Sequence, residues 1–331
     1  MATPSVCRSL AAFSLWMLAS FLCHKLAKMA LVLYVTAETS SSPIVIALIV
    51  TLCQVLFCYA SINVTSLKGP LFYVMASSHF LATLATNTSL ALTFASSTMA
   101  IKMLEPATSA VLQALLLKSP MKAESVVGMV IVVAGAGLYI GNPAQGGDLT
   151  RAVIMALISN LTLGIRNVTL KLSQDVSPRR SQFRSALHVF GFTACLAFLL
   201  CLASFSEAVA AVLPHHVTHF LLLSLASSVF HVTYSYVSTN VVLRYMSVVS
   251  HALANIFKRV LVVLLLHVTG RRPASWWNWA GLVLCTMGLL LYSRRRMTSS
   301  SVSSSLTSVT SASEETHDDG KENGMGCKNM Y

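Results

Sequence analysis

Lys25, Lys102, Arg166, Lys171, Lys258 and Arg259 lie inside stretches that otherwise read as membrane spans, and Glu105 is the one acid among them. A cation at the centre of a bilayer costs about 2.5–3.5 kcal/mol on insertion scales, so such residues face a cavity or a partner. The spans hold too few acids to pair with them all. The arrangement implies a polar cavity in a helical membrane protein, positive when empty and suited to an anion.

The densest group is His251-Ala-Leu-Ala-Asn255-Ile-Phe-Lys258-Arg259. At 100° per residue, positions i, i+4, i+7 and i+8 form one polar stripe on a helix. A guanidinium fork matches phosphate or carboxylate bidentately, and a lysine adds a compact point charge. About eleven residues of span precede the pair and about nine follow it, which places it near mid-depth, too deep for simple snorkelling. Lys102 and Glu105 stand at i and i+3, where an internal salt bridge competes with an anion-binding role for the lysine. Arg166 is deep enough to line a solute path, whereas Lys171 sits where it snorkels to the interface. Lys25 has no acid nearby in sequence, and Lys28 either shares its role or snorkels.

These residues need long apolar helices to carry them. Of 331 residues, 55% are hydrophobic and 10% charged, against about 25% charged in a soluble domain. Apolar runs of about 20 residues recur along the chain, each enough to cross about 30 Å of hydrocarbon. The net charge of +12 does not point to nucleic acid, because the basic residues lie in short loops and inside spans. The fold class expected is an all-α membrane protein with ten transmembrane helices, at roughly 11–35, 43–63, 71–93, 97–117, 124–141, 149–171, 184–206, 219–243, 247–268 and 276–293. The first run is read as a retained span rather than a cleaved signal. Loop arginines and lysines favour cytosolic termini, with Arg271-Arg272 the one clear violation.

Ten spans divide into two inverted five-helix repeats, about 11–141 and 149–293, a design common in transporters. Lys102 and Lys258-Arg259 then occupy the fourth span of each repeat, as two halves facing one central site would require. Residues 1–293 form the transporter domain. Residues 294–331, Ser/Thr-rich and then acidic, are expected to be a disordered cytosolic tail. The cysteines show no paired or zinc-ligand spacing and read as buried free thiols. His215, His216 and His219 read as a solvated lumenal loop rather than a metal site. The sequons at Asn63, Asn87, Asn160 and Asn167 fall in or beside spans and are not expected to be glycosylated.

Enzyme chemistry finds little support. The chain has no phosphate-cradling glycine loop, no His-Glu-x-x-His and no Gly-x-Ser-x-Gly. One intramembrane acid excludes paired-carboxylate catalysis within the spans. No cofactor or metal is expected.

The chain resembles the triose-phosphate translocator family, within the nucleotide-sugar and drug/metabolite transporter superfamily that includes the solute carrier family 35-like proteins. The resemblance spans nearly all of residues 11–293. It is carried by His251-x-x-x-Asn255-x-x-Lys258-Arg259 with Gly288-Leu-Leu-Leu-Tyr292, and by Lys102-x-x-Glu105-Pro106. Further pieces are Asn87-x-Ser89-Leu90, Ser159-Asn160 with Arg166-Asn167 and Lys171, and Tyr234-x-x-x-Ser238-Thr239-Asn240 with Arg244. The resemblance implies ten helices in two inverted halves and exchange of organic phosphates for inorganic phosphate. It implies that Lys102, Lys258 and Arg259 hold the phosphate, that Tyr234 and Thr86 help bind the substrate, and that Lys25, in the place of a first-span Asn-Lys pair, carries over. Two family histidines are replaced here by Thr83 and Met99, and His79 lies one turn before Thr83 on the same face. The phosphate clamp is therefore intact, while the part that reads the rest of the substrate is altered.

The functional expectation is a secondary antiporter in a Golgi or endoplasmic reticulum membrane. It would exchange a sugar phosphate or nucleotide sugar for phosphate or a nucleotide monophosphate, with a small anionic solute and the lipid bilayer as partners and a homodimer as a further candidate. The alternative is a non-transporting membrane scaffold or regulator that keeps the fold, which the changes at Thr83 and Met99 and the tail would allow. A carrier for a non-phosphorylated anion such as a carboxylate differs from the first reading only in its ligand.

Overall fold

A computed structural model describes residues 4–35, 43–60, 70–116, 123–141, 148–174, 217–237, 248–270 and 275–292. Among these residues every regular element is helical. The helices are α1 (Pro4–Val35), α2 (Pro43–Ala60), α3 (Pro70–Leu92), α4 (Ala95–Ile101), α5 (Glu105–Leu116), α6 (Ala123–Ile140), α7 (Leu149–Gln174), α8 (Val217–Tyr236), α9 (Val248–Thr269) and α10 (Trp276–Tyr292). Four contain stretches long and apolar enough to cross a membrane: Leu10–Leu33, Ala123–Ile140, Leu149–Thr169 and Val217–Tyr236.

Local chemistry sets the starts. Proline opens α1, α2 and α3, a position where its missing N–H would be unpaired in any case. Asp148 caps α7 by accepting from the Arg151 backbone N–H at 3.2 Å. Ser275 precedes α10, and its backbone N–H donates to the Asn278 side chain at 3.2 Å, one half of a capping box.

The expected fourth span is not one continuous α-helix. A 3-10 turn, Lys102–Leu104, separates α4 from α5. Pro106 has no N–H to give to the Lys102 carbonyl four residues back. That carbonyl instead accepts from the Glu105 N–H in the tighter 3-10 pattern. The expected seventh span, 184–206, the end of the eighth and the tail 294–331 lie outside the described residues.

α3 packs along α7, α1 along α8, and α4 against α9, while α2 lies against both α3 and α8. A core that includes Ala30, Leu31, Ile46, Ala47, Leu90 and Ala100 fills the end of the bundle where α3 stops and α4 starts. At that end Lys28, one of two uncertain first-span cations, donates to the carbonyls of Leu90 at 2.6 Å and Thr93 at 2.9 Å. It caps the last turn of α3, where carbonyls lack helical donors and the helix dipole favours a cation.

α6 and α10 meet through glycines. Gly128 and Gly135 on α6 face Gly288 and Gly281 on α10. A Cβ at Gly135 would stand 2.6 Å from the Cys285 backbone nitrogen, and one at Gly281 2.6 Å from that of Tyr139. The backbones are close enough for the Cys285 thiol to reach the Val132 carbonyl at 3.4 Å and the Asn278 amide the Tyr139 carbonyl at 2.8 Å. Small residues that let backbones approach are the usual adhesive between membrane helices.

Candidate functional site

A cavity of about 410 Å³ lies between α1, α2, α3, α4, α5, α7, α8 and α9, and α6 and α10 contribute no lining residue. Among the described residues its wall carries four cations, Lys102, Arg166, Lys258 and Arg259, and one carboxylate, Glu105. Each cation is held differently.

Lys102, 9% exposed, donates to Thr86 Oγ1 at 3.0 Å and to Ser159 Oγ at 2.7 Å. Both hydroxyls give their own proton to the Ala82 carbonyl, at 2.7 and 2.8 Å. Each therefore offers a lone pair to the ammonium. Lys102 is fixed in place by two neutral hydroxyls, and among the described residues these take two of its three N–H groups.

Lys258 is held by aromatic faces. Its Nζ lies 4.3 Å from the centroid of Trp16 and 5.8 Å from that of Tyr234. Ring quadrupoles attract the ammonium but leave its charge intact.

Arg259 is the paired cation. Nη2 donates to Glu105 Oε2 at 2.6 Å, and Nη1 donates to the Lys102 carbonyl. The ion pair considered between Lys102 and Glu105 is not the one formed. A fork can satisfy a carboxylate and a carbonyl together, and the 3-10 turn places both beside α9. Arg259 Nε is buried without a hydrogen-bond partner among the described residues.

Arg166 donates from Nη1 to His79 Nδ1 at 3.2 Å, and from Nε and Nη2 to Asn167 Oδ1 at 3.3 and 2.8 Å.

Of the other candidates, Thr83, Thr86, His79, Tyr234 and Asn255 line the cavity. Lys25 is not among the lining residues. Its Nζ stands 5.6 Å from the Phe21 ring, and its neighbour His24 faces the cavity instead. One residue along a helix is a turn of 100°, which here carries Lys25 off the wall that His24 joins, although the adjacent pair Lys258 and Arg259 both stay on it. His251 lies on α9, but its side chain is outside the described residues, as is that of Lys171.

Sequence reasoning missed a buried amide network as a group. The Asn87 amide donates to Thr51 Oγ1 at 2.8 Å and Gln54 Oε1 at 3.1 Å. Gln54 donates to Ser227 Oγ at 3.0 Å, and Ser227 to the Cys23 carbonyl at 3.1 Å. It ties α1, α2, α3 and α8 together at the cavity wall, where Cys23, Gln54 and Asn87 are lining residues. Gln54 in an apolar run was its one visible sign. His231, Trp16 and Ser159 were likewise not singled out as site residues. Asn87 and Asn160 are 3% and 0% exposed, so neither amide is available to a glycosylating enzyme. Cys23, Cys53 and Cys285 are free thiols. Among the described residues no cluster of metal-ligating side chains occurs.

No match was found among curated proteins. Among solved structures, the chain is similar to a protein of 17% identity, covering 87% of this chain and 95% of that one, at a TM-score of 0.51. That likeness concerns the fold alone. The profile of the triose-phosphate transporter family, a membrane family of transporters rather than enzymes, matches residues 7–293. With most of its length matched, the chain belongs to the triose-phosphate transporter family.

Proposed function

We propose that this protein is a secondary antiporter. In this reading it exchanges an organic phosphate, a sugar phosphate or a nucleotide sugar, for inorganic phosphate or a nucleotide monophosphate. The observation that carries the reading is the charge of the cavity, four cations against one carboxylate, with Lys102 held by hydroxyls and Lys258 by aromatic rings. Neither lysine is neutralised, so an empty cavity repels its own lining and an anion relieves that repulsion. The loaded and empty carriers then differ in the free energy of closing around the site, which a ligand-driven conformational exchange requires.

Lys102, Lys258 and Arg259 are the proposed phosphate ligands, with Thr86, Thr83, Tyr234, Asn255, His251 and His79 as neighbours that position or read the substrate. The frame is ten transmembrane helices in two inverted halves. Cytosolic termini and a Golgi or endoplasmic reticulum membrane complete the proposal. The close glycine pairing of α6 with α10, the fifth spans of the two halves, supports the repeat because counterpart helices meet as counterparts.

The test is counterflow of labelled phosphate in proteoliposomes, with Lys258→Gln and Arg259→Gln as separate variants. Uptake that depends on internal organic phosphate and is lost in both variants supports the antiporter. Unchanged uptake in both sinks it. Absence of uptake and of ligand-induced thermal stabilisation in well-folded protein moves the reading to a non-transporting scaffold.

A further inference from the structure

Lys258 and Arg259 are neighbours on α9, yet different helices hold them. Arg259 reaches the turn between α4 and α5, where it donates to the Lys102 carbonyl and to Glu105 Oε2. Lys258 reaches α1 and α8 instead, with Nζ 4.3 Å from the Trp16 ring centroid and 5.8 Å from that of Tyr234. Successive side chains on a helix diverge by 100°, so one short stretch of α9 serves both sides.

Trp16 is itself firmly placed. It lines the cavity and is 2% exposed. With Ala12, Phe13, Tyr234, Val237 and Ala254 it forms a small apolar cluster where α1, the end of α8 and α9 meet. Phe13 packs edge-on against it at 6.2 Å and lies 6.3 Å from Phe257 of α9, centroid to centroid. Indole is the best of the aromatic faces for a cation, and the attraction grows where water is excluded.

We infer that Trp16 is a positioning residue for Lys258, and that their contact couples solute occupancy to the packing of α9 against α1. The inference rests on the antiporter reading above. Ring and phosphate compete for one ammonium. A phosphate gathered by Lys102, Lys258 and Arg259 draws Nζ toward the side of α4 and α5 and loosens its hold on Trp16. When the solute leaves, the ammonium returns to the indole and α9 is clasped to α1 again. Loaded and unloaded carriers then differ by an inter-helix contact, the differential interaction that a ligand-driven switch requires. The clasp restrains a carrier that has released its solute from reorienting without a new one, which makes exchange obligatory. Charge repulsion within the cavity acts in the same direction but does not depend on the indole, so changes confined to Trp16 separate the two.

The experiment measures labelled phosphate uptake by the full chain in proteoliposomes, with and without internal phosphate. It compares wild type, Trp16→Leu, Trp16→Tyr and protein with Trp16 replaced by tetrafluorotryptophan. Fluorination keeps the indole shape and removes most of the negative face that attracts the ammonium. The ratio of uptake with internal phosphate to uptake without it is expected to fall on the order of tenfold in Trp16→Leu and in the fluorinated protein, because uptake into phosphate-free vesicles rises. Trp16→Tyr, which keeps an electron-rich face, should stay within about threefold of wild type. Phosphate should also change the tryptophan fluorescence of wild type and not that of Trp16→Tyr. A wild-type ratio in the folded fluorinated protein overturns the coupling, and that variant decides if Trp16→Leu does not fold. So does a fluorescence response that survives Trp16→Tyr, or none in a wild type that binds phosphate. A wild type that neither binds nor takes up phosphate fails the antiporter reading and the coupling together, whereas phosphate exchange with no effect of fluorination fails the coupling alone.

Discussion

Arg259 and Glu105 meet at 2.6 Å across the interface of α9 and α5, and a proline one residue further on makes the meeting possible. Pro106 withholds a donor from the Lys102 carbonyl, the turn tightens, and Arg259 takes the carbonyl and the carboxylate together. Lys102 is thereby released to the hydroxyls of Thr86 and Ser159.

This pairing predicts an asymmetry. Arg259→Gln strands a largely buried carboxylate and is expected to destabilise the protein by about 3–5 kcal/mol. Glu105→Gln with Arg259→Gln should recover a good part of that loss and none of the phosphate binding. Thermal unfolding in detergent, run beside a phosphate-binding assay, separates the two effects. Equal stability of the single and double variants would argue against the pair.

Ser159→Ala removes one of the two hydroxyls that orient Lys102. The expected result is about a tenfold loss of phosphate affinity, the size of one hydrogen bond to a charged group, with the fold retained. Lys102→Met should abolish binding outright, and titration calorimetry distinguishes the two.

Lys25→Gln should leave affinity within about twofold of wild type, because that lysine lies against Phe21 and away from the cavity wall. Comparison with Lys258→Gln in the same counterflow assay checks this. A loss as large as that of Lys258→Gln would place Lys25 on the solute path after all.

Gly135→Ala or Gly281→Ala drives a methyl group into opposing backbone at 2.6 Å. Overpacking of this kind costs about 1–3 kcal/mol. Both variants should melt earlier in detergent, while Gly137→Ala, where an added Cβ meets nothing within 4 Å, should not.

Lys28→Met removes the donor that caps α3 at Leu90 and Thr93. The expected cost is about 1 kcal/mol, read as an earlier melt with phosphate affinity preserved.

The class of the protein was legible in its sequence, since hydropathy is a property of composition and run length. The cationic character of the site was legible too, because a charge inside an apolar run stands out wherever the helix points. Lys102, Arg166, Lys258 and Arg259 were found in this way. The sequence alone did not decide which neighbour each charge chooses. Lys102 and Glu105 are three residues apart in sequence, yet their partners come from α3, α7 and α9, because side-chain reach and the 3-10 turn before Pro106 outweigh proximity along the chain. Lys25 and His24 are one residue apart, and only packing against α8 decided which faces the cavity. The uncharged groups were least visible. An uncharged side chain in an apolar run does not announce its partner, and only tertiary structure showed Ser159 accepting from Lys102, Gln54 accepting from Asn87 and, among the described residues, His231 Nε2 without a hydrogen-bond partner. A charge declares itself against hydrocarbon from the sequence, whereas a hydrogen bond exists only once two helices bring its partners within 3 Å.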